Sequence, residues 1–118
     1  MSDVVLTDTN FYQVLPSGQI FMTVTIGDGQ VGGTAATLNG VPIAVNPTGE
    51  TPIGTPTQDL RNSILQVITT VRDVNPLTNN TSVIHSFRGG VVPQAFPHAI
   101  SVNADKDNAR YFITYVLM

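Results

Sequence analysis

The segment LRNSILQVITTVRD, residues 60–73, decides the fold class, because it fits either a helix or a strand. In a helix, four apolar residues would share one face: Ile64, Leu65, Ile68 and Val71. Asp59 would then cap the first turn. Residues 67–71, however, are all β-branched, and such side chains lose rotamer freedom in a helix but pack well in a sheet. We therefore predict a strand.

The segments around it have the same character, with Gly and Pro every few residues and many Val, Ile and Thr between them. In residues 19–26, Ile20, Met22, Val24 and Ile26 alternate with other side chains, as in a strand with one buried face. Strands are predicted at 19–26, 30–38, 41–45, 60–73, 81–88, 98–103 and 110–118, with Pro42 at a sheet edge. This spacing predicts one all-β domain over residues 1–118. We expect an antiparallel β-sandwich, Ig-like or jelly-roll-like, with about seven short strands and little or no helix.

The segments between these strands are predicted to be loops. Residues 46–59 contain three prolines and two glycines, residues 74–80 are rich in turn formers, and residues 91–97 form an irregular connection. Asn39-Gly40 predicts a tight turn.

Gly27-Asp28-Gly29-Gln30-Val31-Gly32 matches the G-x-G-x-x-G pattern of dinucleotide-binding loops. That site needs a helix after the glycines, whose N-terminus holds the pyrophosphate. Here the following segment is cut by Asn39-Gly40 before a crossover helix can form. We therefore interpret the glycines as a hairpin turn joining residues 19–26 to residues 30–38, and we predict no cofactor.

Two loops carry oxygen donors of the kind that calcium prefers. Asn103, Asp105 and Asp107 stand at alternate positions, but the glycine and distal glutamate of a full calcium loop are missing. Asp73, Asn75 and Asn80 are a weaker set. Asp and Asn are also ordinary turn residues, so we predict no essential metal site.

Other chemistry has little support in the sequence. His85 shares a strand face with Val83 and Phe87, and His98 shares one with Ile100 and Val102; such positions favour half-buried strand residues over catalytic bases. No nucleophile elbow or pair of glycosidic carboxylates is evident. We predict that the protein is not an enzyme, although residues brought together only by folding escape this reasoning.

The amino-acid composition of the chain indicates which classes of binding partner are not expected. Charged residues make up 11% of the chain, the net charge is −3, and the five basic residues are scattered, so nucleic acid and anionic membranes are not expected partners. There is no cysteine. The N-terminus lacks the features of a signal peptide, which predicts a cytoplasmic protein or one exported without a cleavable leader.

The last predicted strand, in RYFITYVLM, is apolar on both faces. Tyr111, Ile113, Tyr115 and Leu117 point one way, and Phe112, Val116 and Met118 the other. Such a strand is either central in its sheet or covered by a partner chain. We predict a structural module that self-associates into a homo-oligomer or packs into a larger assembly. The expected interface anchors are Phe112, Tyr115 and Phe96. The alternative is a domain that binds a glycan or calcium through loops 46–59, 74–80 and 103–109.

Overall fold

The computed structural model describes residues 3–118, which form nine strands and no helix. The strands are β1 (Asp3–Tyr12), β2 (Ile20–Ile26), β3 (Val31–Leu38), β4 (Val41–Ile43), β5 (Thr51–Ile53), β6 (Ser63–Arg72), β7 (Asn80–Arg88), β8 (Gln94–Ser101) and β9 (Asn108–Leu117). One sheet has the order β1-β9-β6-β3-β4, and the other has the order β5-β2-β7-β8. The prediction of an all-β, sandwich-like fold is confirmed.

The ambiguous segment 60–73 contains the central strand of the larger sheet. β6 pairs antiparallel with β9 on one side and with β3 on the other. Its odd-numbered residues, such as Leu65 and Val67, are buried between the sheets, and its even-numbered ones face outward. A strict alternation over ten residues is the period of a strand, so the prediction made from the β-branched run is confirmed.

The strand inventory departs from the prediction in three places. β1 lies in a segment with no predicted strand, β5 lies inside the predicted loop 46–59, and β8 begins inside the predicted connection 91–97. The sheets are also not wholly antiparallel, because β1 pairs with β9 in parallel. β1 was not predicted because polar residues obscure its alternation, since only its inward row meets the core. β5 and β8 were not predicted because they contain the prolines Pro52 and Pro97.

The predicted hairpin between residues 19–26 and residues 30–38 is wrong. β2 pairs with β5 and β7, whereas β3 pairs with β4 and β6, so the chain crosses from one sheet to the other at Gly27–Gln30. The turn itself is present: Gln30 N donates to Gly27 O at 3.2 Å, and Asp28 and Gly29 have φ of 58° and 71°. The tight turn at Asn39-Gly40 is confirmed, as the link between β3 and the edge strand β4.

The core lies between the two sheets and contains a cluster of packed aromatic rings. The ring of Tyr115 lies 4.7 Å from that of Phe87 and 5.1 Å from that of Phe96, both in edge-to-face arrangements. Tyr12 joins the cluster from the edge strand β1, 5.2 Å from Phe87. These large side chains fix the two sheets together through area burial and favourable ring geometry.

Candidate assembly interface

The outward side of the larger sheet is an unusually uncharged surface. Because side chains alternate along strands, one row of each strand faces away from the core. The register brings four such rows together, and we call the result the outer face: Val5, Thr7, Thr9 and Phe11 of β1; Phe112, Thr114 and Val116 of β9; Ile64, Gln66 and Ile68 of β6; Ala35 and Thr37 of β3. None of these twelve side chains is charged.

Large apolar side chains lie next to one another across the outer face. Phe11 is aligned with Val116, which is aligned in turn with Ile64. Phe112 is aligned with Ile68 and forms with it part of a shallow depression in the sheet surface. Phe11 is 56% exposed and Val5 is 54% exposed, so solvent reaches apolar surface that the domain's own core leaves uncovered.

Among the described strand residues of the larger sheet, the outward-facing charges lie at one end. Arg110 Nε lies 3.2 Å from Asp3 Oδ2, and Arg72 follows on the neighbouring strand. Both partners of the ion pair are more than one-third exposed, so it contributes little stability. The twelve side chains of the outer face itself carry only hydroxyl, amide and hydrocarbon groups.

The open edges of both sheets carry features that oppose pairing with another strand. Pro42 in β4, Pro52 in β5 and Pro97 in β8 each stand on an edge strand. Proline lacks a backbone N–H and therefore weakens an edge as a template for strand addition. The fourth edge strand, β1, has Asp8 in its inward-facing row, and an inward charge on an edge strand acts in the same way.

The three predicted anchors fall in two different environments. Phe112 is half-buried and lies on the outer face. Tyr115 is fully buried in the domain's own core, and Phe96 is 8% exposed beside it. An interface on the outer face can therefore use Phe112 but not Tyr115 or Phe96. Of the two faces of β9 distinguished in the sequence, the face with Tyr115 lies in the core and the face with Phe112 lies on the outer face.

A row of polar side chains crosses the core beside the aromatic cluster. It runs from β3 to the edge strand β1 through Thr34, Thr69, His85, Tyr115, His98 and Asp8. The contacts are Thr34 Oγ1–Thr69 Oγ1 3.0 Å, Thr69 Oγ1–His85 Nε2 3.1 Å, His85 Nδ1–Tyr115 Oη 2.7 Å, His98 Nε2–Tyr115 Oη 3.3 Å and His98 Nδ1–Asp8 Oδ2 4.0 Å. The row reaches the surface at its two ends, through the partly exposed Thr34 and through Asp8, which is about half exposed.

Burial controls the titration of the row. Burial and, to a smaller extent, the neighbouring His98 together lower the pKa of His85 to about 3. Burial also lowers the pKa of His98, against the opposing effect of the Asp8 carboxylate. The pKa of Tyr115 is raised by burial and, to a smaller extent, by Asp8. Both imidazoles are therefore neutral at pH 7. In this form they can hydrogen-bond to the hydroxyl groups beside them in the core without burying a charge.

The histidines lie where the sequence predicted, but deeper. His85 is 0% exposed beside Val83 and Phe87, and His98 is 8% exposed. A general base must come within hydrogen-bond reach of its substrate, and His85 is enclosed on all sides. The arrangement as it stands satisfies buried polar groups.

The motif Gly27–Gly32 leads into strand β3 rather than a helix. A Cβ on Gly32 would lie 2.2 Å from the backbone oxygen of Thr70, so glycine is needed there for close strand approach.

Of the weak calcium donors, Asn103 and Asp105 are exposed whereas Asp107 is 6% exposed. Within residues 3–118, no three His, Asp or Glu side chains gather closely enough to hold a metal.

The loops of the alternative ligand site do not meet in one place. Loops 74–80 and 103–109 lie at the same end of the sandwich, where Asp73 N donates to Asp107 O at 3.0 Å and Val102 N donates to Asn79 O at 2.9 Å. Loop 46–59 is attached instead to the beginning of β2, where Gly18 N donates to Gln58 O at 3.1 Å. Sequence reasoning missed Gln30, whose buried side chain joins the turn after β2 to loop 74–80.

Among the described residues, no helix is long and apolar enough to cross a membrane. Comparison of the chain with models of protein families, with curated proteins and with solved structures gives no match.

Proposed function

We propose that this protein is a non-enzymatic structural module whose chains associate through the outer face of the larger sheet. The observation that carries the proposal is the row-by-row alignment of apolar side chains on that face, with Phe11 beside Val116 and Phe112 beside Ile68. Exposed apolar surface of this kind favours burial against a partner.

The proposed partner is a second copy of the same chain. A two-fold axis places the same patch on both sides of an interface, which requires a surface that does not repel itself. The outer face meets this requirement because it carries no charge, and the charged residues Arg72, Arg110 and Asp3 lie beyond one end of it. Sheets also pack face to face in a well-known geometry, about 10 Å apart.

The available area is sufficient for a stable contact. A strand of ten residues such as β9 is about 33 Å long, and four neighbouring strands span about 19 Å, which gives roughly 600 Å² per copy. Two copies would bury roughly 1,200 Å², at the lower limit of specific interfaces. Association through the sheet edges is disfavoured by Pro42, Pro52, Pro97 and Asp8, which leaves face packing as the route.

Sedimentation equilibrium at micromolar concentrations tests the proposal on the wild type and two matched variants. Ile68→Arg places a charge in the centre of the outer face and is expected to give monomers. Thr25→Arg places the same charge on the exposed side of the smaller sheet and is expected to leave the oligomer intact. A monomeric wild type, or an oligomer that survives Ile68→Arg, would contradict the proposal.

The type of sandwich, Ig-like or jelly-roll-like, stays a prediction. It is supported by two packed, mostly antiparallel sheets.

A further inference from the structure

Six polar side chains cross the core in one line, which we call the polar row: Thr34, Thr69, His85, Tyr115, His98 and Asp8. Its hydrogen bonds share one direction because of Tyr115, whose hydroxyl oxygen lies 2.7 Å from His85 Nδ1 and 3.3 Å from His98 Nε2. A hydroxyl has one hydrogen to donate, and a neutral imidazole has one donor and one acceptor nitrogen. Tyr115 therefore donates to one ring and accepts from the other, because any other arrangement leaves a buried donor or acceptor unpaired.

The Asp8 carboxylate selects one of these two directions. Its Oδ2 lies 4.0 Å from His98 Nδ1, beyond a direct hydrogen bond, so it acts on the ring as a nearby negative charge. A negative charge attracts an N–H and repels a ring lone pair, which places the hydrogen of neutral His98 on Nδ1. His98 Nε2 then accepts from Tyr115, and Tyr115 accepts from His85 Nδ1.

The same direction continues through two threonines to the other side of the sandwich. With its hydrogen on Nδ1, His85 accepts at Nε2 from the hydroxyl of Thr69, 3.1 Å away. Thr69 then accepts from Thr34, since their hydroxyl oxygens lie 3.0 Å apart. Thr34 is partly exposed and lines a depression of about 50 Å³ with Val24 and Asn46, so this end of the polar row is open to solvent.

We propose that the polar row is a proton-linked switch, in which one proton taken up at Thr34 appears as a positive charge on His98 and reverses the hydrogen bonds between them. Each group passes on the hydrogen that it donates: Thr34 to Thr69, Thr69 to His85 Nε2, His85 Nδ1 to Tyr115, and Tyr115 to His98 Nε2. Thr34 takes its replacement from hydronium in the solvent. The polar row then holds one proton more than before, only His98 has changed its charge, and nothing is oxidised or reduced.

The surroundings of the two rings place the charge on His98. Asp8 faces His98 from β1, Tyr115 faces it from β9 and His85 from β7, and Asp8 is the negative charge among these groups. His85 is fully buried, and burial, with a smaller effect of His98, lowers its pKa to about 3. Burial raises the pKa of Tyr115, so its hydroxyl keeps a hydrogen. His85 therefore stays neutral while His98 titrates and exchanges one tautomer for the other.

Nitrogen-15 NMR of the two histidine rings tests the switch in the whole protein, because protonated and unprotonated ring nitrogens resonate far apart. The chain has two histidines, so His98→Gln assigns both sets of signals. At pH 7 both rings are expected to carry their hydrogen on Nδ1. Burial lowers the pKa of His98, so its titration is expected below pH 6.5. As it gains its second proton, His85 should change from the Nδ1–H to the Nε2–H form with the same midpoint.

Two variants interrupt the polar row at different points. Tyr115→Phe is expected to leave a titration of His98 that no longer changes the tautomer of His85. Thr34→Val removes the acceptor that Thr69 needs after the reversal, so the midpoint of His98 should fall. Thr37→Val is its control, since Thr37 lies on the outer face of the same strand and should leave the midpoint unchanged.

A third variant removes the charge that sets the direction. Asp8→Asn is expected to convert part of both rings to the Nε2–H form at pH 7, and to the same extent in both because Tyr115 couples them. Asp105→Asn removes an exposed charge elsewhere and should keep the wild-type tautomers.

Three results would overturn the proposal: hydrogen on Nε2 of His85 in the wild type at pH 7, a His85 tautomer that stays constant while His98 titrates, or coupled changes that survive Tyr115→Phe. If Tyr115→Phe does not fold, Thr34→Val takes its place, and an unchanged midpoint there would contradict the switch. If circular dichroism shows that acid unfolds the chain before His98 titrates, the comparison at pH 7 decides, and identical tautomers in the wild type and Asp8→Asn would refute it.

Discussion

His85 Nδ1 lies 2.7 Å from the hydroxyl oxygen of Tyr115, and both residues are fully buried in the core between the two sheets. The other ring nitrogen of His85 contacts Thr69 at 3.1 Å, so the imidazole is bonded on both sides. One ring nitrogen donates and the other accepts only while the ring is neutral. The folded state is most stable while His85 is unprotonated, because burial penalises the charged imidazolium.

The first prediction concerns the loss of folding stability at acidic pH. The folded-state pKa of His85 is about 3 and its unfolded value is about 6.5, so between these values the unfolded chain binds more protons. Stability is therefore complete above about pH 6.5 and decreases as the pH falls, by roughly 2 kcal/mol between pH 6.5 and 5. The lowered pKa of His98 acts in the same direction. Urea unfolding at a series of pH values measures this slope, and His85→Gln is expected to reduce it. A slope that His85→Gln leaves unchanged would assign the acid sensitivity to other groups.

The second prediction separates the core from the interface. Tyr115→Phe removes the hydroxyl that both His85 and His98 contact. Two buried ring nitrogens then lack a partner, and a loss of roughly 1–3 kcal/mol in unfolding free energy is expected. The subunit number should not change, because Tyr115 is enclosed by its own domain. Denaturant unfolding and sedimentation of the same sample measure the two effects. Dissociation of a fully folded Tyr115→Phe variant would show that the residue acts at an interface after all.

The third prediction concerns the sheet edge. Pro97 lies in the edge strand β8, opposite Ile84, and withholds one N–H from that edge. Pro97→Val restores the donor and raises β propensity, so faster aggregation is expected on mild heating, followed by light scattering and thioflavin fluorescence. Ala99→Val is the control, since it changes the next exposed position of the same strand without adding a donor. Equal aggregation of the two variants would attribute the effect to hydrophobicity instead.

The fourth prediction concerns Gln30. Its side-chain oxygen accepts from Val74 N at 2.7 Å and Asn75 N at 2.9 Å, while its amide donates to Asn80 O at 3.0 Å. Gln30→Leu leaves these backbone groups unpaired, and a loss of roughly 2–3 kcal/mol is expected from thermal or denaturant unfolding. Gln13→Leu, at an exposed position, should change stability by less than about 0.5 kcal/mol. Similar losses in both variants would mean that Gln30 does not anchor the loop.

The fold class, and the assignment of side chains to the two faces of each strand, could be predicted from local sequence because both depend on a periodicity of two residues. The β-branched run at 67–71 identified β6, and the alternation in β9 separated the row of Tyr115 from the row of Phe112. The proline at position 42 identified an edge strand. Where prolines interrupt short strands, as in β5 and β8, or polar residues dominate, as in β1, the same reasoning failed, since hydrogen bonding to distant strands outweighs local preference there.

By itself, therefore, the sequence determined that this chain forms strands and which side chains share each face. The tertiary structure decided which strands are neighbours: β2 and β3 lie in different sheets, and β1 runs parallel to β9. That choice depends on contacts between residues far apart in the chain, and it alone brings His85 to His98 and Asp73 to Asp107. It also decided that Tyr115 lies inside while Phe112 faces outward, because the second sheet covers only one side of β9.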